Sequence, residues 1–274
     1  MSEIQFYKQL EHLKLFFVEE CASTQDTILQ AITDATIWEM GLSPNQSIAL
    51  FADFQLAGKG QNNNYWQSPK GENMMVTVAM QLGAEALADL VALNKSITVS
   101  ICKSLQNILG VGHSLQIKWP NDLFYNNQKL GGLLMQVVQE KGARILVLGI
   151  GINVNQNEFE PELSKFAVSM KQILGVDFPI RNLLEQILHD CSLKKLALES
   201  AHADFNSLLW KRNHTVQLEL NEKWKAQLGE YLDENGFLSG VMLGVDKIGR
   251  LTIALSNEET VSFNHGEARI AVSQ

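Results

Sequence analysis

The hydrophobic pattern changes near residue 212, and this change constrains the fold more than any other feature of the chain. Residues 181–212 have the apolar spacing of a helix, whereas the chain after His214 consists of short segments with alternating apolar residues. These segments are Val216–Leu220, Phe237–Val245, Leu251–Leu255, Val261–Phe263 and Ala268–Val272. Five short strands are typical of a small barrel or a partly open sheet. We therefore expect a larger domain of residues 1–212 and a small β domain of residues 213–274.

The larger domain mixes strands and helices. Three segments have the apolar character of strands, namely Ser47–Gln55, Met74–Gln81 and Arg144–Val154, and Asp122–Tyr125 and Lys129–Val138 form a predicted hairpin around Asn126-Asn127. Residues 86–109 and 162–174 have helical periodicity, as do residues 181–212. Hairpins among helices predict an α+β fold, with a mixed or largely antiparallel sheet flanked by helices. In the small domain, Trp224 and Leu228 have near-helical spacing within the inserted Lys223–Asn235 segment, which predicts that the segment is ordered.

The composition excludes several classes of protein. The chain is 46% hydrophobic and 19% charged, as in ordinary globular proteins. A formal net charge of −8 argues against non-specific nucleic-acid binding, which needs surplus Lys and Arg. Cys21, Cys102 and Cys191 form no CxxC pair, so we expect buried, reduced thiols. The N-terminal segment lacks the apolar core of a signal peptide, and the longest apolar run, Ile145–Val154, is too short to cross a bilayer. We expect a cytoplasmic protein without membrane association.

A polar segment, Ala57–Trp66, follows the predicted strand Ser47–Gln55. Gly58 and Gly60 allow the backbone to approach a ligand, and successive N–H groups in such a loop can surround an anion. An ordinary flexible surface loop explains the glycines equally well, because neither GxxxxGK[ST] nor GxGxxG occurs. Trp66 is consistent with an aromatic side chain closing over a ligand, or with one anchored in the core.

Lys118-Trp119-Pro120-Asn121-Asp122 is the second candidate segment. Lys118 is expected on the strand face opposite Leu115, Ile117 and Trp119, and Pro120 ends the strand. Taken singly, each residue has an alternative interpretation. Lys118 could be a lysine that extends to solvent at a sheet edge, and Asn121 and Asp122 could be turn residues. Lys129 follows across the predicted hairpin, and two converging lysines would stabilise a phosphate and a carboxylate together.

The order of the motifs along the chain resembles the biotin–protein ligase family. The resemblance rests on Ser23-Thr24-Gln25, Gln55–Gly60 with Trp66, KWPND at 118–122, KLGGLL at 129–134 and GIGIN at 149–153. It extends from about residue 16 to the end of the chain, and KWPND followed by KLxG is its most specific part. The resemblance implies a class II synthetase-like catalytic domain followed by an SH3-like β domain.

The resemblance also implies a two-step reaction. The carboxylate of biotin attacks the α-phosphate of ATP, which is bound with Mg²⁺, and gives biotinyl-5′-AMP and pyrophosphate. The mixed anhydride then acylates a lysine of a biotin carboxyl carrier domain of a biotin-dependent carboxylase. Because a carboxylate and a triphosphate repel each other, their encounter needs fixed positive charge and a divalent cation. Mg²⁺ is expected to be held mainly by the ATP phosphates.

Carried over to this sequence, the resemblance assigns residues to two subsites. Ser23, Thr24 and Gln55 would hydrogen-bond the ureido ring, with Ser23 also expected to cap a helix. The implied catalytic residues are Lys129, Lys118 and Asp122. Lys129 would contact the carboxylate and the α-phosphate, and Asp122 would receive the proton of the acceptor lysine. The implied biotin-binding set is Ser23, Thr24, Gln25, Gln55, Gly58, Lys59, Gly60, Gln61, Lys129 and Gly132. The implied nucleotide-binding set is Trp66, Lys118, Asn121, Lys129 and Asn153.

Two departures from the family pattern carry expectations. Family members commonly have arginines in the glycine loop, where this chain has Lys59, Gln61 and Asn64. We therefore expect faster release of biotinyl-AMP than from an arginine-bearing loop, and slower release in Gln61→Arg. In addition, 22 residues precede Ser23, fewer than a winged helix-turn-helix needs, so a monofunctional ligase without operator binding is expected.

Three alternative functions remain open at this point. A lipoate–protein ligase has a similar fold and reaction, but its RRxSGGG-like segment is missing from this sequence. A non-catalytic sensor of biotin or biotinyl-AMP would fit the reduced charge of the loop, although Lys118, Asp122 and Lys129 are present. A β-sheet adaptor is the third alternative. The family contains monomers and dimers, so a homodimer is also open.

Overall fold

The chain forms two β-sheets with helices packed against the larger one. The computed structural model describes residues 2–60, 65–192 and 196–272. The larger sheet has eight strands in the order β1-β2-β3-β4-β8-β7-β6-β5. Its strands are β1 (Gln5–Leu10), β2 (Leu13–Cys21), β3 (Ser47–Gln55), β4 (Asn73–Gln81), β5 (Leu115–Lys118), β6 (Asp122–Tyr125), β7 (Gln128–Glu140) and β8 (Ala143–Asn153). Strands β2 and β3 pair in parallel and the other neighbours pair antiparallel, which makes the sheet mixed, as predicted.

Eight α-helices accompany the sheets in the described ranges. They are α1 (Thr24–Thr33), α2 (Thr36–Met40), α3 (Ala84–Ala88), α4 (Leu90–Leu109), α5 (Met170–Leu174), α6 (Ile180–Asp190), α7 (Ala201–Ser207) and α8 (Glu222–Gln227). Helices α1 and α2 bury Ile28, Ile32 and Ile37 against one face of the large sheet. Helices α4 and α6 pack on the opposite face, in the main core. The large sheet is therefore covered on both faces.

Strand β8 shows how the two faces differ. Leu146, Leu148, Ile150 and Ile152 alternate along it and belong to the main core. On the face toward α1, Ile145 and Val147 pack with the α1 cluster, but the next two positions on that face are Gly149 and Gly151. Because glycine has no side chain to pack, this end of the face is left open. The opening is the site described below.

The second sheet consists of five antiparallel strands in the order β12-β11-β10-β9-β13. They are β9 (Thr215–Leu220), β10 (Phe237–Val245), β11 (Leu251–Ala254), β12 (Thr260–Phe263) and β13 (Ala268–Ile270). All five predicted strands of this region are present. The predicted ordered segment after Asn221 forms α8 and a 3₁₀ turn at Gly229–Tyr231, and Trp224 packs edge-to-face on Phe263 at 4.9 Å.

Side chains of the larger domain hold the β10–β11 hairpin through its backbone. Trp119 Nε1 donates to Gly249 O at 3.0 Å, and Lys95 Nζ donates to Asp246 O at 2.6 Å. Asn206 Nδ2 donates to Val245 O at 2.9 Å and Arg212 Nε to Leu243 O at 3.2 Å. The contact between the two sheets is thus made of specific hydrogen bonds in addition to apolar packing.

Several helix predictions were wrong. The predicted helix 86–109 is two helices, because Asp89 leaves the helical conformation and caps α4 by accepting from Ala92 N at 2.8 Å. Residues 162–166 form turns, and Ala167 forms a β-bridge with Lys129 before α5 begins. The predicted helix 181–212 is not a single helix. Helix α6 ends at Asp190, and α7 (Ala201–Ser207) is the other helix described in this range. Strands β1 and β2 were not predicted.

The cysteine and membrane expectations can also be compared with the structure. Cys21, Cys102 and Cys191 are free and buried, and burial raises their thiol pKa values to about 11, 12 and 12. Among the described residues, no helix is both long and apolar enough to span a membrane.

Candidate active site

A cavity lies on the α1 face of the large sheet, where β4, β7 and β8 run side by side. Its volume is about 510 Å³ including its opening to solvent. The residues that line it are Ser23, Thr24, Gln25, Gln55, Lys59, Gly60, Trp66, Met75, Val76, Thr77, Asp122, Lys129, Gly132, Leu133, Leu134, Gly149, Ile150 and Gly151. Most of the predicted site residues therefore meet in one place.

Glycines form the floor of the cavity. Gly132 on β7 pairs with Gly151 on β8, and Gly149 pairs with Leu134. A Cβ atom at Gly149 would lie 2.7 Å from Gln25 Oε1, and one at Gly151 would lie 2.8 Å from Cε2 of Trp66. Such distances are far inside van der Waals contact, so these glycines allow Gln25 and Trp66 to approach the sheet.

Polar side chains are buried at the inner end of the cavity. Ser23, Thr24, Gln25 and Thr77 are between 0% and 5% exposed. Gln55 Oε1 accepts from Thr24 N at 2.7 Å and from Thr24 Oγ1 at 3.0 Å. Thr24 Oγ1 also lies 2.9 Å from Thr77 Oγ1. Buried polar groups concentrated in this way are suited to a ligand with a polar ring.

Ser23 is the N-cap of α1, as predicted. Its hydroxyl accepts from Asp26 N at 3.4 Å, which satisfies one of the free N–H groups of the first turn. The cap also fixes Thr24 and Gln25 in the first turn of α1, directed at the sheet. The Asp26 carboxylate does not form the second half of a capping box with Ser23. It pairs instead with Lys59 Nζ at 2.6 Å.

Charged side chains lie at the outer end. Lys129 Nζ is 2.7 Å from Asp122 Oδ1 and 5.9 Å from the centre of the Trp66 ring. The strand register puts Lys118, Asp122, Gly132 and Gly151 in one row across β5, β6, β7 and β8. Directly paired residues project from the same face of a sheet, so Lys118 and Asp122 share the face that carries the cavity.

Lys118 is buried, being 8% exposed, and does not extend to solvent. Its Nζ lies 5.6 Å from the centre of the Phe124 ring. Burial lowers the pKa of Lys118, the nearby Asp122 opposes this effect, and the positive charges of Arg269 and Lys129 add to it. The interpretation of Lys118 as an exposed sheet-edge lysine was wrong. Arg269 belongs to β13, so the second sheet contributes charge to this end of the site.

Three predicted nucleotide-binding residues, Lys118, Asn121 and Asn153, do not line the cavity. Asn121 is 3% exposed and donates from Nδ2 to Leu133 O, and its buried Oδ1 has no hydrogen-bond partner within the described ranges. Asn153 Nδ2 donates to Val168 O at 3.2 Å and to Lys129 O at 3.4 Å. Asn153 thus connects the strand of Lys129 to the segment before α5.

The glycine loop is described at its two ends. Trp66 N donates to Gly58 O at 2.9 Å, and a Cβ at Gly58 would lie 2.4 Å from Trp66 O, so the ends of the loop touch. Lys59 and Gly60 line the cavity, whereas Gly58 supports Trp66 from beside it. Gln61, a predicted biotin-binding residue, lies outside the described residues, as do Asn62, Asn63 and Asn64.

Thr77, Gly149 and Gly151 line the cavity but were not predicted as site residues. A signal for each was present. Thr77 is the polar residue within the apolar segment MMVTVAM, and Gly149 and Gly151 alternate within a strand. Polar or missing side chains at such positions indicate a gap in the packing on one face of a sheet.

Several known proteins are similar to this chain in sequence. Residues 28–153, which carry most of the cavity, match the family model of the biotin/lipoate A/B protein ligase family. The bifunctional ligase/repressor BirA of Bacillus subtilis is 26% identical over 264 residues, covering 92% of this chain and 73% of the relative. The biotin–[acetyl-CoA-carboxylase] ligase of Mycobacterium tuberculosis is 25% identical over 181 residues, covering 63% of this chain and 65% of the relative.

Solved structures resemble the fold. The biotin protein ligase of Aquifex aeolicus, in complex with biotin and ATP, has a TM-score of 0.70 at 24% identity and covers 94% of this chain and 99% of its own. The fold and the sequence are therefore similar to those of the biotin and lipoate ligase class. Within this class, the matching relatives named above are BirA and a biotin–[acetyl-CoA-carboxylase] ligase.

Proposed function

We propose that the protein is an ATP-dependent ligase that forms biotinyl-5′-AMP from biotin and ATP and transfers the biotinyl group to a lysine of a biotin carboxyl carrier domain. One observation carries the proposal: a single cavity has buried hydrogen-bonding side chains at its inner end and the Lys129–Asp122 pair at its outer end. Biotin is a bicyclic urea with a carboxylate tail, so its polar ring would meet the inner end and its carboxylate the outer end. The BirA and biotin–[acetyl-CoA-carboxylase] ligase relatives support the assignment.

The inner end favours biotin over lipoate, the alternative substrate of the class. The lipoyl ring has no hydrogen-bond donor and accepts hydrogen bonds only weakly. Bound against it, Gln25 Nε2 would remain buried without a partner, which is unfavourable by about 1–3 kcal/mol. A cyclic urea offers two N–H donors and a carbonyl acceptor, and the carbonyl can accept from this nitrogen.

The first chemical step occurs at the outer end. A carboxylate oxygen of biotin attacks the α-phosphorus of ATP, the bond between this phosphorus and the bridging oxygen breaks, and pyrophosphate leaves. Lys129 holds the carboxylate and the α-phosphate together, and Lys118 adds a buried positive charge on the same sheet face. Fixed charges in a site with little water stabilise the developing negative charge without reorganisation.

The second step uses the carboxylate that Lys129 releases. The Asp122 carboxylate is paired with Lys129 Nζ at 2.7 Å. Once the phosphate takes the ammonium of Lys129, Asp122 can accept a proton from the acceptor lysine. The neutral amine then attacks the acyl carbon, the acyl–phosphate bond breaks, and AMP leaves. Exclusion of water protects the mixed anhydride until then.

Magnesium enters this proposal with ATP. Among the described residues, no group of three metal-ligating His, Cys, Asp or Glu side chains is present, and the carboxylate of the cavity, Asp122, is paired with Lys129. The unpaired Oδ1 of Asn121 is a further oxygen close to this end. These donors fit a cation held mainly by phosphate oxygens.

The remaining assignments belong to the same proposal. Residues 1–212 would carry both subsites, and residues 213–274 would support the outer end through Arg269. Trp66 would flank the adenine. Asn153 would act indirectly, by holding the backbone of Lys129 with its hydrogen bond to Lys129 O. ATP as substrate and three free thiols suit a reaction in the cytoplasm. A homodimer remains a prediction from the resemblance.

The test measures both steps with the purified protein. Wild type is expected to release pyrophosphate when biotin and ATP are present together and to add one biotinyl group to a carrier domain, detected by mass spectrometry. Lys129→Met is expected to lower kcat/KM by at least about a hundredfold, because it removes a charge that stabilises the transition state. Lys211→Met, which changes a lysine outside the cavity, serves as the control.

The outcomes separate the alternatives. Lipoyl transfer at the same rate as biotinyl transfer would contradict the substrate. A wild type that binds biotin without releasing pyrophosphate would identify a sensor instead of a ligase.

A further inference from the structure

The direction of one hydrogen bond fixes the directions of those around it at the inner end of the cavity. The backbone N–H of Thr24 can only donate, and it meets Gln55 Oε1 at 2.7 Å. The atom of Gln55 at this position must therefore be its amide oxygen, which can only accept. The hydroxyl of Thr24 lies 3.0 Å from the same oxygen, so this hydroxyl donates its one proton to Gln55.

This assignment determines what Thr77 does. Thr24 Oγ1 lies 2.9 Å from Thr77 Oγ1. Because the proton of Thr24 is already committed to Gln55, the proton in this second contact must come from Thr77. Thr77 therefore donates to Thr24, and one lone pair of Thr24 Oγ1 remains for an N–H group of a ligand.

The same argument applies to Gln25. Its Oε1 lies 3.5 Å from Thr77 Oγ1, at the limit of a hydrogen bond, and Thr77 has no second proton to give. Its Nε2 is buried and has no partner in the part of the chain that the structure describes. Gln25 is only 5% exposed and lies over Gly149, where no side chain intervenes. Both ends of its carboxamide are therefore available to a ligand in the cavity.

We propose that Thr77 is a positioning residue for recognition of the ligand ring. By donating its proton to Thr24, it makes Thr24 Oγ1 an acceptor toward the cavity. It also leaves the Gln25 carboxamide free to form two hydrogen bonds with a –NH–C(=O)– edge of the ligand. The inference rests on the proposed function, in which the ligand ring is a cyclic urea. A urea presents this edge, with donor and acceptor side by side. Thr77 acts through Thr24 and Gln25, and it is 0% exposed because it forms the base beneath them.

Three variants test the hydroxyl of Thr77. Thr77→Val keeps the shape of the side chain and removes the donor, Thr77→Ser keeps the donor, and Thr98→Val is the matched control. Thr98 is 1% exposed on α4, away from the cavity, and its hydroxyl donates to Asn94 O at 2.9 Å. Calorimetry gives the Kd for biotin and for desthiobiotin, which has the urea but no sulfur ring. Pyrophosphate release gives kcat and both KM values.

The expected result is specific to the urea. Thr77→Val should raise the Kd for biotin about three- to tenfold, the range of one net hydrogen bond, and raise it equally for desthiobiotin. The KM for biotin should rise with it, whereas kcat and the KM for ATP stay within twofold of wild type. Thr77→Ser should restore the Kd to within about twofold. A lower melting temperature in Thr77→Val with an unchanged Kd would mean that Thr77 is only structural and would overturn the inference.

A double-mutant cycle tests whether Thr77 acts through its neighbour. In a Thr24→Val background, Thr77→Val should change the Kd by less than about twofold, because the acceptor that it orients is gone. Fully additive effects would contradict the proposal. If Thr77→Val does not fold, Thr77→Cys, which is a weak donor of similar size, takes its place with the same expected rise in Kd. Wild type without biotin-dependent pyrophosphate release would overturn the proposed function itself, whereas active wild type with an equally active Thr77→Val overturns only this inference.

Discussion

At Gly151, a Cβ atom would lie 2.8 Å from Cε2 and 2.9 Å from Cζ2 of Trp66. The indole is rigid, so it would have to move away from the sheet to accommodate even a methyl group. Trp66 also lies 5.9 Å from Lys129 Nζ and follows the glycine loop. A displaced indole would therefore disturb the outer end of the cavity but leave the inner end intact.

We predict that Gly151→Ala raises the KM for ATP about tenfold, corresponding to about 1.4 kcal/mol of lost contact, while the Kd for biotin changes less than threefold. Steady-state pyrophosphate release with varied ATP at saturating biotin measures the first quantity, and calorimetry measures the second. Gly229→Ala is the control, because a Cβ there meets nothing within 4 Å. An unchanged KM for ATP in Gly151→Ala would show that Trp66 does not contact the nucleotide.

Individual residues show where the sequence was informative and where it was not. The motif KWPND predicted that Lys118 and Asp122 lie together, and the register of β5 and β6 pairs them directly. The sequence could not predict that Lys118 is buried, because burial depends on Phe124 and on the second sheet. Nor could it predict that Thr77 supports Thr24, since the two are 53 residues apart and meet only when α1 packs on β4.

Among the secondary-structure elements, strands with strong periodicity were predicted well. Strand β3 has the predicted bounds Ser47–Gln55, and the hairpin of β6 and β7 turns at the predicted Asn126-Asn127, both at positive φ. Strands β1 and β2 were missed because they form an edge hairpin with charged residues between apolar ones. Helix predictions failed at Asp89, whose side chain makes a better cap than a helical residue. Local periodicity identifies buried elements, but helix ends depend on single side-chain hydrogen bonds.

Helices α4 and α7 meet the β10–β11 hairpin at the buried Lys95 and the half-buried His202. Lys95 Nζ lies 3.2 Å from His202 Nδ1 and donates to Asp246 O. An ammonium can only donate, so His202 must accept at Nδ1 and be neutral. Burial lowers the pKa of His202, the charges of Lys95, Lys247 and Arg212 lower it further, and Asp246 opposes them.

The sign of the pH dependence follows. Unfolded His202 gains a proton near its ordinary pKa of 6.5, whereas the folded protein binds this proton more weakly. The contribution of His202 to stability is therefore complete above pH 6.5 and is lost as the pH falls below that value toward the folded pKa. We predict that His202→Asn, whose Oδ1 can accept from Lys95 but cannot titrate, loses less thermal stability between pH 7.5 and 5 than wild type. Melting temperatures measured across this range in both proteins test the prediction, and parallel curves would contradict it.

On the scale of the whole molecule, one of the contacts that join the two sheets is made by the KWPND motif. Four backbone carbonyls of the β10–β11 hairpin accept from side chains of the larger domain, and the residue that holds Gly249 is Trp119, the second residue of KWPND. Trp119 is 4% exposed and its ring lies 6.1 Å from that of His265, in the second sheet. Its neighbours Lys118 and Asn121 are also buried. The sequence predicted both sheets, but the four hydrogen bonds to the β10–β11 hairpin join residues 31 to 151 positions apart and have no local signal.

The position of Trp119 predicts that the second sheet supports the outer end of the cavity and not the inner end. Trp119→Phe keeps most of the ring but removes the donor, so Gly249 O loses its partner and the segment from Lys118 to Asn121 loses its anchor. We expect kcat/KM for ATP to fall about three- to tenfold, the range of one net hydrogen bond, with the Kd for biotin unchanged. Trp38→Phe is the matched control, because Trp38 Nε1 is buried without a hydrogen-bond partner among the described residues. A loss of biotin affinity equal to the loss in kcat/KM would show that Trp119 holds the fold as a whole, whereas a selective loss for ATP would show that the second sheet sets the geometry at which Lys118 meets the phosphates.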